Sequence, residues 1–277
     1  CMNILVASPH GLYRNYSSSF VHNQARAYAD MGHRVRTVIP LAFGRKNDRG
    51  KRFGKIVELR NVDGVEICYV RCLSLGRFGA GNFNRASARL TVRLLMRRIM
   101  KDFRPDVIHG HTLDFGSEIG VCFKEFNRCP LVVTTHGGDT TVRVNNGELD
   151  KLRGFCQHVD VVVTVSKALE GRLRTCGTQT EIRTIHNGFH DEGITDSVEK
   201  VPLSCLQVSN LIELKQIPVT IRAFQKIHEK HPQARLTIIG RGPDREMLEK
   251  LCEELEISDV VTFTGQLQHQ DVMAHMS

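Results

Sequence analysis

With 277 residues, 41% hydrophobic, 25% charged and 6% aromatic, the chain is long enough for two domains that each bury a core. No apolar run in it approaches the roughly 20 residues that cross a bilayer as a helix, and the opening ILVA run is too short for a secretory signal and lacks a basic flank, so a cytoplasmic protein is expected. The net charge of +8 is unevenly placed: residues 1–190 hold 29 Lys and Arg against 16 Asp and Glu, a net +13, and residues 191–277 hold 9 against 14, a net −5.

In chain order, NILVA (3–7) reads as a strand, SSSFVHNQARAYADM (17–31) as a serine-capped helix ended by Gly32, and RVRTVIP (34–40) as a second strand. VEICYV (65–70) is a third strand, followed by a long helix over 84–103. Then strands at 106–111, 131–136, 160–166 and 181–187 alternate with helices at 116–127, 148–158 and 166–176. Near-continuous apolar strands alternating with helices predict a parallel sheet covered on both faces, a Rossmann-like domain. GFHDEGITDSVEKVP (188–202) is polar and acidic and reads as a linker. The pattern restarts with strands at 203–209, 234–240 and 260–265 and helices at 216–230, 243–255 and from 269, a second α/β unit with about half the usual strands, so an incomplete second domain is expected.

Nine cysteines form no CxxC, the closest pair being Cys68 and Cys72, and most sit in apolar runs. They read as reduced core thiols rather than a disulfide or metal framework, and the histidines show no HExxH spacing.

Ligands of open α/β sheets bind beyond the carboxyl ends of the strands. That edge here carries SPHGLYRNYSSSF (8–20), His109, Gly110 and His111, then His136, Gly137, Gly138 and Asp139, then Ser166 and Lys167, then His186 and Asn187. No GxGxxG follows the first strand, which argues against a dinucleotide oxidoreductase. Three histidines on one edge point to a site. His136 alone reads either as a ligand contact or as a strand-end turn, and the glycines beside it either admit a ligand to the backbone, with N–H groups offered to an anion, or serve a tight turn. In the second unit Lys215 lies near a helix start, a natural diphosphate position, and Gly240 opens the turn GRGPDREML.

These segments, in this order, resemble retaining glycosyltransferase family 4, whose GT-B fold pairs two Rossmann-like domains. The resemblance is carried by FVHNQARAYADMGHRVRTV, RPDVIHGH, VVTTHGGD, VSKAL and TIHNGF in the first part, and by LQVSNLIELKQIP, ARLTIIGRGPDREMLEKL and VTFTGQLQHQDV in the second. It implies an N-terminal acceptor-side domain over 1–188, a linker over 189–202 and a partial nucleotide-sugar domain over 203–277. The implied reaction moves a sugar from a nucleotide-diphosphate donor to an acceptor hydroxyl of a glycan, a lipid-linked sugar or a small molecule. Configuration is retained, and no metal or other cofactor is needed because protein groups offset the leaving diphosphate's charge. It assigns His136 to the active site as a contact of the donor sugar, Lys215 to the donor diphosphate, Asn210 and Gly240 to donor binding, and the stretch from Leu267 to His269 to the base. Ser17, Ser18 and Ser19 belong to the loop beside phosphates and acceptor, with His109, His111 and Asp139 in support.

Three positions depart from the family pattern. Asn210 stands where the family usually has Arg, Gln216 where it has Gly after the Lys, and the first loop is rich in serine rather than glycine. Asn210 removes a positive charge from the diphosphate site. The family's acidic motif, two glutamates seven residues apart, would fall after residue 277, so this chain by itself is expected to be inactive. The alternatives are a GT-B epimerase or phosphorylase, or a non-catalytic sugar-nucleotide- or glycan-binding relative.

A last feature is basic. Arg85, Arg89, Arg93, Arg97 and Lys101 recur every four residues along the 84–103 helix, beside an apolar side from Leu90, Leu94, Leu95, Ile99 and Phe103. The stripe, with the basic loop over 45–55, reads either as a solvated face or as a surface for anionic lipid or a lipid-diphosphate acceptor, placing the protein peripherally on a membrane. The basic segments lack interleaved aromatics, which argues against nucleic acid.

Overall fold

The computed structural model describes residues 1–8, 20–42, 55–74, 81–188 and 201–276. The chain forms two compact units, residues 1–188 and 189–277. The expected linker and basic loop lie almost wholly outside the described residues, as do Ser17, Ser18 and Ser19.

The first unit runs β1 (Asn3–Ala7), α1 (Phe20–Asp30), β2 (Arg34–Ala42), β3 (Val57–Val62), β4 (Val65–Cys72), α2 (Gly81–Leu94), α3 (Met96–Ile99), β5 (Val107–His111), α4 (Phe115–Asn127), β6 (Leu131–Thr135), α5 (Gly138–Asn145), α6 (Leu149–Cys156), β7 (Val161–Thr164), α7 (Lys167–Arg174) and β8 (Glu181–Thr184). Its eight-stranded sheet has the order β3-β4-β2-β1-β5-β6-β7-β8 and is parallel except for β3. The strands read as apolar runs because both faces are covered. Leu5, Ala7, Val38, Cys68 and Val70 belong to one core cluster, and their strand neighbours Ile4, Val6, Ile39, Ile67 and Tyr69 to another on the opposite face.

Two local features differ from the pattern read in the sequence. β3 forms a hairpin with β4 across Asp63 and Gly64, whose φ values of 51° and 78° suit the two-residue turn that matches strand twist. After Val57 its residues alternate half-buried and exposed, as befits an edge strand, and polar side chains interrupt the sequence, so no apolar run announces it. The helix expected over 84–103 is broken at Leu95 and ends at Ile99. Carbonyls at its end and just beyond are taken by side chains from β2: Arg36 donates to the carbonyls of Ile99 and Lys101, and Arg34 to that of Asp102. Both guanidiniums lie over the Phe103 ring, 4.6 and 5.2 Å from its centroid, and both pair with Glu66. Met96, Ile99, Met100 and Phe103 are thereby buried. The basic stripe is consequently not one continuous face. Arg85 and Arg89 reach Glu118 of α4 at 2.7 and 3.9 Å, Arg93 reaches Glu125 at 2.8 Å, and Lys101 lies beyond the helix.

The second unit runs β9 (Ser204–Val208), a 3-10 turn (Glu213–Lys215), α8 (Ile217–Lys230), β10 (Arg235–Ile239), α9 (Arg245–Glu254), β11 (Val261–Gly265) and α10 (His269–Met276). Its parallel sheet has the order β11-β10-β9, with Leu211, Ile221, Phe224, Leu236, Ile238 and Leu248 in its core.

All nine cysteines are free thiols and six are buried. Burial pushes Cys68 and Cys156 up to about 12, so neither is a ready thiolate. Among the described residues no helix is long and apolar enough to cross a membrane.

Candidate active site

In the first unit the carboxyl ends of β5 and β6 bring three histidines together. His109 and His111 are two apart on β5, so both face the side covered by α1. His109 is nearly buried and His111 fully so. His109 is held from two sides: Nε2 lies 2.8 Å from Thr134 Oγ1, and Nδ1 lies 3.1 Å from the hydroxyl of Tyr28 on α1. Burial first, and repulsion from His136 second, push His109 down to about 4, so its ring is neutral near neutral pH. Its ring is 4.4 Å from that of His111, whose Nδ1 lies 3.0 Å from Nε2 of His136. The His111 and His136 rings are nearly parallel, at 12°, and Phe20 from the start of α1 packs 4.3 Å from His136. His136 is the half-exposed end of this stack.

The backbone beneath the stack is fixed by Asp139. Its Oδ1 accepts from the N–H groups of His136 and Gly137, at 3.2 and 3.1 Å, and from the Thr135 hydroxyl at 2.8 Å. Its Oδ2 accepts from Leu113 N at 2.7 Å, which ties the end of β5 to the end of β6. Of the readings of VVTTHGGD, the tight turn is the one these bonds serve: the N–H groups of His136 and Gly137 are taken by this carboxylate, and Asp139 supports the site by bracing the loop. A helix, α5, which the sequence pattern does not announce, starts directly at Gly138.

The two glycines are not equivalent. Gly137 has φ +110°, which L side chains avoid, so the turn demands it. Gly138 has an ordinary φ, and a Cβ there would meet nothing within 4 Å. Neither conformation nor packing requires glycine at 138, and the space beside it is open. Gly116 at the start of α4 is of another kind: a Cβ there would stand 1.6 Å from the carbonyl oxygen of His111. Thr112, between these features, takes φ +73°, uncommon for a β-branched residue, and donates from its backbone N–H to the carbonyl of Thr134 at 2.8 Å.

Farther along the edge, Ser166 caps α7 by accepting from Leu169 N at 3.2 Å, and Lys167 pairs with Glu170 at 2.9 Å. Both are occupied locally, whereas His186 and Asn187 are exposed.

The second unit has its own cleft, about 350 Å³, at the carboxyl ends of β9, β10 and β11. Asn210, Lys215, Gly240 and Leu267 all line it, so four residues from three separate loops meet there. His269 opens α10 two residues beyond Leu267. Lys215 ends the 3-10 turn just ahead of α8, and no ion-pair partner reaches it among the described residues. Gln216, which joins that turn to α8, takes φ +49°, a left-handed conformation that favours glycine. Its side chain steadies the turn by donating to the carbonyl of Glu213 at 2.9 Å. Arg241 and Gln266 also line the cleft and were not singled out from the sequence. The signal for Arg241 was its place between two glycines in IIGRGPD. Among the described residues no group of three His, Cys, Asp or Glu could hold a metal ion.

The family model described as Glycosyltransferase Family 4 matches residues 17–192, and that described as Glycosyl transferases group 1 matches residues 197–277. The chain is 25% identical over 291 residues to the putative colanic acid biosynthesis glycosyltransferase WcaL of Escherichia coli (strain K12), covering 93% of this chain and 69% of that protein. Among solved structures, sucrose-phosphate synthase from Thermosynechococcus elongatus aligns with a TM-score of 0.70 at 17% identity, over 99% of this chain and 73% of that one. The pneumococcal O-GlcNAc transferase GtfA, solved in complex with UDP and GlcNAc, aligns with a TM-score of 0.60 at 13% identity, over 96% and 76% of the two chains.

Proposed function

The chain belongs to glycosyltransferase family 4 and has the GT-B fold, and we propose that it transfers a sugar from a nucleotide-diphosphate donor to an acceptor hydroxyl with retention at the anomeric carbon. One observation carries this reading: the cleft at the carboxyl ends of β9, β10 and β11 gathers Asn210, Lys215, Gly240 and Leu267. When the bond between the anomeric carbon and the diphosphate breaks, negative charge grows on the leaving phosphate. A preplaced ammonium such as Lys215 lowers that barrier without a metal ion. The backbone around Leu267 and His269 takes the nucleobase. In the first unit His136 contacts the donor sugar, its ring plane set by His111 and its backbone by Asp139.

The acceptor is proposed to be a growing glycan or a lipid-linked sugar, a reading supported by the colanic acid assignment of the WcaL relative. An anionic membrane surface is the proposed place of work for such an acceptor. The outer face of α2 supports it, with Phe83, Leu90 and Leu94 exposed, and Arg97 and Arg98 nearby without an ion-pair partner among the described residues. This 277-residue chain is proposed to bind donor without turning it over.

The test is a thermal-shift panel of UDP-, GDP- and ADP-sugars on this chain and its Lys215→Ala variant. One nucleotide class should stabilise the wild type, with the shift reduced in the variant. If no nucleotide sugar shifts either protein, the donor assignment fails. Robust transfer by this chain alone would overturn its proposed inactivity.

A further inference from the structure

The donor cleft holds one lysine, and the residue beside it that could add charge, Asn210, is neutral. A nucleoside diphosphate carries at least two negative charges near neutral pH. A second cation is supplied from the loop after β10. That loop, Gly240-Arg241-Gly242, is clamped against the loop after β9. Ser209 N donates to Ile239 O at 3.0 Å, Leu211 N to Arg241 O at 3.0 Å, and Asp244 N to Leu211 O at 3.3 Å. A Cβ at Gly240 would stand 1.8 Å from the carbonyl oxygen of Ser209, and one at Gly242 would stand 2.0 Å from that of Leu211. The bracket therefore excludes side chains on both flanks, and Arg241 carries the only one in the tripeptide.

Arg241 lines the same cleft as Lys215, is exposed, and has no ion-pair partner among the described residues. Its neighbours in the fold are otherwise engaged. Arg245 pairs with Glu249 at 2.8 Å, and Arg235 donates to the carbonyls of Pro232 and Ala234. A solvated surface arginine needs no such bracket. A guanidinium for phosphate does gain from one, because its planar fork binds phosphate oxygens in pairs only when correctly placed.

We propose that Arg241 is a donor-binding residue that grips the diphosphate together with Lys215, supplying from the loop after β10 the charge that Asn210 lacks. The inference rests on the proposed nucleotide-diphosphate donor. It is tested on this chain by titrating UDP, GDP and ADP calorimetrically into wild type, Lys215→Gln, Arg241→Gln, Arg241→Lys and the double variant Arg241→Gln/Asn210→Arg. For the nucleotide that binds, Arg241→Gln should weaken affinity about tenfold, Arg241→Lys less, and the matching nucleoside monophosphate should lose much less. An arginine at 210 should restore most of the loss in Arg241→Gln, because both positions line one cleft. A purely structural role for Arg241 would not be rescued in this way, so absence of rescue overturns the inference. Unchanged affinity in Arg241→Gln, with Lys215→Gln weakened, overturns it while leaving the donor reading intact. If none of the three nucleotides binds the wild type, both fall.

Discussion

His111 Nδ1 and His136 Nε2 lie 3.0 Å apart, with their rings at 12° to one another. One proton is shared along that line, so the tautomer of either ring dictates that of the other. His111 is fully buried and His136 half-exposed, which makes His111 the positioning residue. His136→Ala is expected to lower sugar transfer by the active enzyme about a hundredfold without changing its melting temperature. His111→Phe should keep the ring stack but lose the shared proton, reducing kcat more than KM. An unchanged transfer rate in His136→Ala would return the motif to being a turn.

His109 gives the fold a pH dependence whose sign is fixed. Its ordinary value is 6.5, and burial, with repulsion from His136, holds it near 4 in the folded chain. The unfolded chain therefore takes a proton that the folded chain refuses. The stability tied to this group is complete above 6.5 and is lost as pH falls toward 4. Urea unfolding across that window should show a decline, and His109→Gln, which keeps a donor for Thr134, should flatten it. Parallel curves for the two proteins would assign the decline to other groups.

The glycines near the site separate by what a methyl group would meet. Gly116→Ala places a Cβ 1.6 Å from the His111 carbonyl oxygen and should destabilise the first unit by about 3 kcal/mol or more. Gly138→Ala places one in open space. It should leave unfolding unchanged or slightly improve it, while lowering transfer if the donor sugar or acceptor occupies that space. Full activity in a folded Gly138→Ala enzyme would show that no ligand comes close there.

Gln216 holds a left-handed conformation that costs a residue with a Cβ about 1 kcal/mol. Gln216→Gly should relieve most of that, offset in part by the lost bond to Glu213 and by the freer unfolded chain. The expected net is a small stabilisation of the second unit, about 0.5 kcal/mol or less, read from the urea midpoint. A clear loss of stability would mean that the side-chain bond outweighs the strain.

For the membrane proposal, co-sedimentation with vesicles of phosphatidylcholine alone and with added phosphatidylglycerol gives the decisive comparison. Binding should require the anionic lipid and fall in Leu90→Ser/Leu94→Ser and in Arg97→Glu/Arg98→Glu. Arg85→Glu is a poor probe because Arg85 is braced by Glu118. Binding indifferent to lipid charge and to both double substitutions would end the idea.

Much of the sheet was legible because parallel strands buried on both faces must be apolar throughout, and VVTT, DVVVT and LTII say so locally. The hairpin at Asp63 and Gly64 was also written in the chain, but β3 alternates polar residues and does not stand out. The helix end at Ile99 was not legible, since the groups that take the carbonyls there and just beyond are Arg36 and Arg34, more than sixty residues earlier. The same holds for Asp139. Its neighbours in sequence do not show what it braces, because the bond from Leu113 that completes its shell comes from another strand end. Arg241 was hidden for a related reason, because the bracket that fixes it involves the loop after β9.

The anchoring of His136 has a further consequence. Among the described residues that hold the histidine stack and its loop, Phe20 and Tyr28 come from α1, and Leu113, Thr134, Thr135 and Asp139 fall within residues 109–139. Most of this described bracing therefore lies in one contiguous stretch of chain, residues 109–139. In a chimera, transplanting that segment together with a matching α1 should carry the histidine's geometry into another family member, leaving the flanking strands free to diverge with the acceptor.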